Sequence, residues 1–293
     1  MSLRRIYIEL HIAVVLLALT AILGDLISLS ASVLVWWRSL IASVGIGVFL
    51  LITGKINMDW IRAHKKIYAL GGMIAVHWIC FFGSVKLANA STALICFATI
   101  SFFTAIIEPW ITKRKRQTHE LVFGVLVIPG IVLIAGHAEG QVLIGIVLGL
   151  VASLLIAIIA SLEKKWILET DPEHMTFMQM AGAWLAMCVW LIGEYFIKGI
   201  ERFMPGGMDL IYLLILGLVC TCVAWILAAR AIRIITAFDS MIVINLEPVY
   251  GILLALVLLN DGKELTSGFY IGASIILASV FIHPIWQSRD ARP

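Results

Sequence analysis

Long apolar runs separated by short polar stretches recur along the chain. A helix needs about 20 apolar residues to cross the roughly 30 Å core of a bilayer. Ten runs reach that length, and we predict an all-α membrane protein with ten transmembrane helices at 6–24, 33–53, 67–85, 90–111, 119–136, 141–162, 174–197, 209–229, 235–259 and 265–286. The connections between them are too short for a soluble catalytic domain, so any function must lie within the helix bundle.

Lysine and arginine are unevenly distributed between the two sides that these helices define. Sixteen of the 21 fall on the side of the N-terminus, four fall on the other side, and Arg38 lies within the second helix. Positive charge is retained in cytoplasmic segments, so this distribution predicts that the N and C termini are cytoplasmic. The net charge of +3 then reflects topology, and we predict the lipid bilayer, and no nucleic acid, as a partner.

The composition is typical of a membrane protein. Hydrophobic residues make up 62% of the chain and charged residues 13%, whereas soluble proteins have about 25% charged residues. All five cysteines fall within predicted spans, which indicates core packing rather than a disulfide framework or a metal cage. We predict no metal and no cofactor.

Five predicted helices precede the middle of the chain and five follow it. An odd number per half turns the second half upside down relative to the first, which is the inverted repeat common in secondary transporters. We place the two repeats at 1–137 and 138–293. Sliding one half onto the other with an offset of 147 pairs Trp78 with Trp225 and Lys86 with Arg233.

Glu247 is the most deeply placed charged residue, near the middle of the ninth predicted helix. A charge at this depth costs about 2.5–3.5 kcal/mol on insertion scales and is a functional candidate. Three interpretations stay open: a site for a substrate amine or a proton, a kink element, or a hydrogen bond to a neighbouring helix. Pro248 follows directly and is a candidate hinge, because proline removes a backbone donor.

Other candidate residues lie on the third, fourth, eighth and ninth predicted helices. His77 and Trp78 are at mid-span, and Trp225 occupies the corresponding place in the second half. Two indoles near the pseudo-symmetry axis would form an aromatic-walled cavity for apolar or aromatic ligands. Four more polar and aromatic positions are candidates for contact with a substrate. The predicted substrate-binding residues are therefore His77, Trp78, Phe97, Ser101, Trp225, Asn245, Glu247 and Tyr250.

Two further charged residues have competing explanations. Arg38 lies five residues into the second predicted helix, where it could extend its side chain toward the membrane surface or bind a carboxylate. Glu108 lies at the cytoplasmic end of the fourth predicted helix, where an end cap or an interfacial ion pair is the favoured explanation.

The sixth predicted helix carries small residues at intervals of four, beginning with Gly145, Gly149 and Ser153. Small residues let helices approach closely in lipid. We predict that this face serves helix packing, and it would also be compatible with a sliding motion.

Three segments resemble the EamA-type branch of the drug/metabolite transporter superfamily. They are residues 36–42, residues 86–93, and the element Leu246-Glu247-Pro248-Val249-Tyr250. The resemblance covers almost the whole chain and implies ten helices, a location in the inner (plasma) membrane, a central cavity, and export of small metabolites, often amino acids. Within that branch, the chain looks most similar to the aromatic amino acid exporters. It departs from the family at Ser101, near which the first repeat commonly carries a proline, so symmetric kinking of helices four and nine is an open question.

We therefore predict a secondary transporter that exports amino acids, aromatic ones among them, or related small metabolites by alternating access. The absence of a glycine-rich phosphate loop argues against an ATP-driven pump, and we predict no catalytic residues. A drug or nucleotide-sugar carrier of the same superfamily, an intramembrane enzyme and an assembly subunit stay open as alternatives. The sequence leaves the exact substrate, flux direction, coupling ion and oligomeric state undecided, and a monomer is the simplest expectation.

Overall fold

The chain folds into a bundle of apolar helices. The structure, a computed structural model, describes residues 3–56, 61, 64–115, 140–258, 271 and 274, and these residues form no strand. The α-helices are α1 Leu3–Leu26, α2 Ala31–Ile52, α3 Lys66–Leu87, α4 Ala90–Phe97, α5 Ile100–Thr112, α6 Gly140–Trp166, α7 Pro172–Lys198, α8 Gly207–Leu214, α9 Ala224–Ile234, α10 Ala237–Ile244 and α11 Glu247–Leu258. A short 3₁₀-helix, Ile167–Glu169, follows α6, and a π-helix, Ile215–Val223, joins α8 to α9.

Seven described segments are long and apolar enough to cross a membrane, and they correspond to the first four and the sixth to eighth predicted spans. The ninth predicted span forms α10 and α11. The fifth and tenth predicted spans, 119–136 and 265–286, lie outside the described residues, as does the boundary between 137 and 138. A multi-pass helical architecture is therefore present, while ten helices, two inverted repeats and cytoplasmic termini stay predictions.

Two of the spans predicted from the sequence, the fourth and the ninth, are broken near their middle. The first consists of α4 and α5, separated by residues 98–99, and the second of α10 and α11, separated by residues 245–246. The two breaks are 147 residues apart, which is the offset that aligns the two halves of the sequence.

The starts of these broken segments also match at the same offset. Asn89 precedes α4, and its side-chain oxygen accepts a hydrogen bond from the backbone N–H of Thr92 at 2.7 Å. Thr236 precedes α10, and its hydroxyl accepts from the backbone N–H of Asp239 at 2.9 Å. Each side chain satisfies a helix-terminal donor that would otherwise have no partner.

The first break forms without a proline. The carbonyl of Cys96 accepts hydrogen bonds from the backbone N–H of Thr99 at 3.1 Å, from the hydroxyl of Thr99 at 2.7 Å, and from the hydroxyl of Ser153 at 2.9 Å. These donors compete with the backbone N–H of residue 100 for the carbonyl of Cys96. They replace the regular helical hydrogen bond from residue 100 to residue 96. In the second broken segment, Pro248 lies in the first turn of α11, where its missing N–H is tolerated.

Small residues allow several helices to approach backbone to backbone. A Cβ on Gly71 of α3 would lie 2.8 Å from the N atom of Ala183 and 2.9 Å from the Cα of Gly182, both in α7. On α6, a Cβ at Gly145 would lie 2.9 Å from Ala88, and one at Gly149 would lie 2.7 Å from Cys96. Such distances are too short for any larger residue, so these glycines set the spacing of the helices around the centre of the bundle.

Polar groups join the helices at the end of the bundle that carries residues 108, 164 and 232–237. The two carboxylate oxygens of Glu108 accept hydrogen bonds from the N–H groups of Ala237 at 3.0 Å and Phe238 at 2.9 Å, and Arg114 pairs with the same carboxylate at 3.0 Å. Glu108 is thus both a cap and an ion-pair partner, the two roles expected for it. Lys164 donates to the carbonyls of Ile232 at 2.9 Å and of residue 235 at 2.7 Å.

A second polar cluster joins the helices at the opposite end. The carboxylate of Asp209 accepts from the backbone N–H of Ser28 at 2.9 Å and from its hydroxyl at 2.7 Å. Arg202 pairs with Asp209 at 3.4 Å and donates to the hydroxyl of Ser28 at 2.7 Å. Lys86 donates to the carbonyls of Asp25 and Ile27 at the end of α1. Charged contacts between distant segments therefore join the helices at both ends of the bundle.

The close approach of α3 and α7 gives a direct test of the packing. Gly71→Ala should lower the free energy of unfolding by about 1–3 kcal/mol, because the added Cβ meets backbone atoms that cannot move aside. Gly193→Ala in α7 is the matched control, because no described atom lies within 4 Å of its Cβ position. The measurement is unfolding of both purified variants in detergent micelles. Equal stability of the two variants would contradict the close packing of α3 against α7.

Candidate functional site

A cavity lies near the middle of the bundle, between helices from both halves of the chain. The empty space between its atoms, counted to its mouth and including the solvent there, is about 650 Å³. Apolar residues form most of the wall, and the ionisable side chains in the lining are Arg38, His77, Glu163 and Glu247.

Aromatic rings form one side of the cavity. The indoles of Trp78 and Trp225 meet edge to face, with ring centroids 5.4 Å apart and planes at 82°. The ring of Phe97 lies 5.8 Å from His77 and 5.4 Å from Phe81. Edge-to-face contacts of this kind hold rings in fixed orientations. The two tryptophans that the sequence paired are therefore in contact and in the lining.

Arg38 does not reach the membrane surface along its helix. It lies about 10 Å from the start of α2 at 1.5 Å per residue, and only 1% of it is exposed. The guanidinium lies over the ring of Trp78, 4.1 Å from the centroid, and 5.4 Å from the centroid of Phe82. Its Nε donates to the hydroxyl of Thr221 at 2.8 Å. Cation–π contacts and this hydrogen bond fix the position of the charge inside the cavity.

The π-helix places Thr221 where Arg38 needs a partner. The Thr221 hydroxyl donates to the carbonyl of Leu216, five residues earlier, at 2.7 Å. A Cβ on Gly217 in the same turn would lie 2.6 Å from the Cγ2 of Ile41, so only glycine lets the π-helix approach α2 this closely. Short π-helical segments are frequent at functional sites, because the wider turn redirects side chains.

Glu247 enters the cavity as the first residue of α11. It is 3% exposed, and neither a hydrogen bond nor an ion pair joins it to another described residue. The start of a helix favours a negative charge, because the aligned peptide dipoles give this end a partial positive charge. The break before α11 thus creates a position for a carboxylate at membrane depth.

A hydrogen-bonded chain crosses from α9 to α6 on another side of the cavity. The indole N–H of Trp225 donates to Gln179 Oε1 at 3.1 Å, and Gln179 Nε2 donates to Glu163 at 2.8 Å. Glu163 was predicted to lie in a connecting segment, and this was wrong, because α6 continues to Trp166 and buries the carboxylate. A run of apolar residues that ends in a glutamate does not by itself show where the helix ends.

His77 is held in one orientation by α6. Its Nδ1 lies 2.8 Å from the carbonyl of Ala152, and since a carbonyl only accepts, Nδ1 carries the proton. The other ring nitrogen, Nε2, is not used in this bond. Fixing one nitrogen in this way determines the tautomer and leaves the second nitrogen for another partner.

Five of the eight predicted substrate-binding residues line the cavity: His77, Trp78, Phe97, Trp225 and Glu247. The other three do not. Asn245 donates to the hydroxyl of Ser101 at 2.7 Å, which joins the two broken segments near their breaks. Tyr250 is 38% exposed on α11. The predicted set therefore divides among the cavity, the Asn245–Ser101 contact and an exposed position on α11.

The residues predicted for packing lie at helix contacts. Gly145 and Gly149 face α3 and α4, and Ser153 bonds the carbonyl of Cys96. Pro248 lies beside the break in the second segment.

Three polar residues at this site were not among the residues predicted from the sequence. Thr20 lines the cavity from α1, and its hydroxyl is buried without a hydrogen-bond partner among the described residues. Glu163 also lies in the lining, and Gln179 bonds to it. A polar residue inside an apolar run was the available signal for Thr20 and Gln179, since such residues in membrane helices usually face the bundle interior.

Comparison with known proteins places these features in a family. The sequence pattern of the EamA-like transporter family matches residues 5–136 and again residues 143–283. The chain belongs to the EamA-like transporter family. An EamA-like protein is a multi-pass membrane transporter of small molecules in the drug/metabolite transporter superfamily. No curated protein matches the sequence.

This EamA-like chain also has a relative among solved structures, titled "Crystal structure of protein". The two share a TM-score of 0.73 and 11% sequence identity, over 96% of this chain and 98% of the other. At that identity the likeness concerns the fold alone. Membership in the aromatic amino acid exporters of the family finds no support in these comparisons.

The bonds of Gln179 give a test of the cavity wall. Gln179→Met should lower the free energy of unfolding by roughly 2 kcal/mol, because hydrogen bonds to charged groups contribute about 1.5–3 kcal/mol and the buried carboxylate of Glu163 would lose its donor. Gln141→Met, at an exposed position early in α6, is the matched control. Unfolding in detergent micelles measures both, and equal losses in the two variants would contradict the hydrogen-bonded chain.

Proposed function

We propose that the protein is a secondary transporter that exports amino acids, neutral and aromatic ones among them, or related small metabolites by alternating access. The observation that carries this proposal is the central cavity. It combines one buried guanidinium, two buried carboxylates and an aromatic wall at membrane depth. Apolar walls with a few fixed polar groups are the usual design of a small-molecule site.

The charges of the lining favour amino acids over phosphorylated solutes. A nucleotide sugar needs several cationic side chains for its phosphates. Among the described residues that line the cavity, Arg38 is the only lysine or arginine. Two carboxylates, those of Glu163 and Glu247, lie in the same lining. Two carboxylates would repel a phosphate group. A cationic drug is the second candidate, because the same two carboxylates would attract it.

Alternating access is supported by the arrangement of the two halves. The family pattern matches the chain twice, at residues 5–136 and 143–283, in line with repeats at 1–137 and 138–293. The two broken segments align at one offset, and a polar cluster joins the helices at each end of the bundle, around Glu108 and around Asp209. Opening one cluster while the other stays closed would expose the cavity to one side at a time. Inverted repeats of five helices would make these two movements equivalent.

The distribution of Lys and Arg supports an orientation with both termini in the cytoplasm. In this orientation the cluster around Glu108 faces the cytoplasm and the cluster around Asp209 faces outward. We place the protein in the inner (plasma) membrane as a monomer, since the cavity and both clusters lie within one chain.

Transport by the purified protein tests the proposal. In proteoliposomes loaded with a panel of unlabelled amino acids, we expect saturable counterflow of at least one labelled neutral amino acid. Trp78→Ala and Trp225→Ala should reduce this flux at least tenfold, because each opens the aromatic wall. Trp110→Ala should leave it unchanged, since Trp110 is 70% exposed and lies outside the lining.

The competitors decide between the alternatives. A nucleotide sugar and a cationic dye are added to the same assay. Their own transport is measured as well. If the protein transports the dye or the nucleotide sugar but no amino acid, it is a drug or nucleotide-sugar carrier and the proposal is wrong. Absence of flux for every solute, from a folded protein, would contradict transport.

A further inference from the structure

Arg38 has hydrogen-bonding capacity that the protein does not use. A guanidinium offers five N–H donors in a planar fork. Nε bonds to Thr221, and the faces of the group lie against Trp78 and Phe82. Nη1 is buried and has no hydrogen-bond partner among the described residues. A charged donor left unpaired in an apolar environment is strongly unfavourable, so this fork is suited to an anionic group that comes from outside the protein.

Glu247 is the complementary group. It lines the same cavity and lies close enough to Arg38 for the two charges to interact. No ion pair joins them, and the Glu247 carboxylate has no hydrogen bond to any residue that the structure describes. Two opposite charges that line one buried cavity would normally form a direct pair, because their attraction grows as the dielectric falls. Since this pair is not formed, both groups are available to a molecule that carries both charges.

The remaining lining fits the rest of such a molecule. The buried hydroxyl of Thr20 has no described partner and adds a neutral donor and acceptor. The rings of Trp78 and Trp225 provide an apolar surface next to the charged groups. Since Arg38 belongs to the first half of the chain and Glu247 to the second, a molecule bound to both would connect the two halves.

We propose that Arg38 and Glu247 form a dipolar binding pair, in which the guanidinium receives the α-carboxylate and the carboxylate of Glu247 receives the α-ammonium of a zwitterionic substrate. This inference rests on the proposed function and specifies its substrate class. The preferred solutes are α-amino acids with a neutral, apolar or aromatic side chain. Amines without the carboxylate and acids without the ammonium each leave one buried charge unpaired, and such partial ligands bind poorly.

The test removes one charge at a time from the ligand and from the protein. L-phenylalanine, 2-phenylethylamine and 3-phenylpropionate compete with labelled substrate in proteoliposome counterflow. In the unaltered protein, phenylalanine should compete roughly 10- to 100-fold better than the other two, as expected for the loss of a hydrogen-bonded charge. In Arg38→Met, phenylalanine and the amine should compete equally, because the carboxylate no longer has a partner. In Glu247→Gln, phenylalanine and the acid should compete equally.

Matched controls and a second Arg38 variant make the outcomes decisive. Arg5→Met and Glu169→Gln remove the same charges at positions where the side chains are 65% and 57% exposed, and should keep the unaltered ranking. Arg38→Lys retains the charge without the fork and should give an intermediate preference. If the Arg38 and Glu247 variants do not fold, the three ligands on the unaltered protein still test the pair. An amine that competes as well as phenylalanine overturns it.

Failure of this inference can be told apart from failure of the proposed function. If phenylalanine or another amino acid is transported but Arg38→Lys and Arg38→Met keep the full preference over the amine, the pair is wrong and amino acid transport stands. A second result would also contradict the pair. If phenylalanine loses its advantage over 3-phenylpropionate in Glu163→Gln but keeps it in Glu247→Gln, the ammonium group binds Glu163 and not Glu247. If no amino acid is transported at all, the proposed function itself fails.

Discussion

A guanidinium held inside an apolar helix bundle is the constraint on which the centre of this structure depends. Moving such a charge into the interior is expensive unless its surroundings replace the lost hydration. Arg38 is stabilised by the ring of Trp78, by Phe82 and by the hydroxyl of Thr221. Each of these partners requires its own local structure: the edge-to-face contact that orients Trp78, the π-helix that presents Thr221, and the glycine that brings this π-helix against α2.

A helix break supplies one of the opposing charges, and a second break lies at the corresponding place in the first half of the chain. The end of α10 and the start of α11 put Glu247 at a helix N-terminus inside the bundle, where the partial positive charge of the helix dipole favours a carboxylate. The corresponding break between α4 and α5 comes from Thr99 and Ser153, which take over the carbonyl of Cys96. In the proposed alternating access, the short helices on either side of these breaks would turn relative to each other while the long helices keep their packing. The charged clusters at the two ends of the bundle are suited to hold one closed arrangement each.

Much of the fold follows from simple sequence rules. Apolar length predicted the membrane-crossing helices within the described residues, because lipid leaves a chain few other ways to satisfy its backbone. The offset of 147 also brought Trp78 and Trp225 together as a pair before their contact was known. Symmetry and burial are visible in a sequence since they repeat over many residues.

The rest depends on single contacts between distant segments. The break at residues 98–99 requires Ser153, 57 positions after Cys96, and no local pattern predicts it. Glu163 looked like a helix-end residue, yet its partner Gln179 lies on another helix and keeps it in the cavity. Ser101, Asn245 and Tyr250 lie on the same predicted helices as cavity residues, but each of these helices is broken, and a regular helical pattern does not extend across a break. The sequence also left two roles possible for Arg38, extension toward the membrane surface or binding of a carboxylate. It could not decide between them because the π-helix that provides Thr221 is not visible in the sequence.

The most direct test of this account is a distance in the substrate complex. Solid-state NMR on the protein in lipid bilayers, with ¹⁵N in the arginine guanidinium groups and ¹³C in the carboxylate of bound phenylalanine, reports how close the two groups are. A charge-assisted hydrogen bond places a guanidinium nitrogen about 3.5–4 Å from the carboxylate carbon. The account predicts this distance in the unaltered protein and its loss in Arg38→Lys. A bound substrate whose carboxylate has no guanidinium nearby, or one whose signal persists in Arg38→Lys, would contradict it.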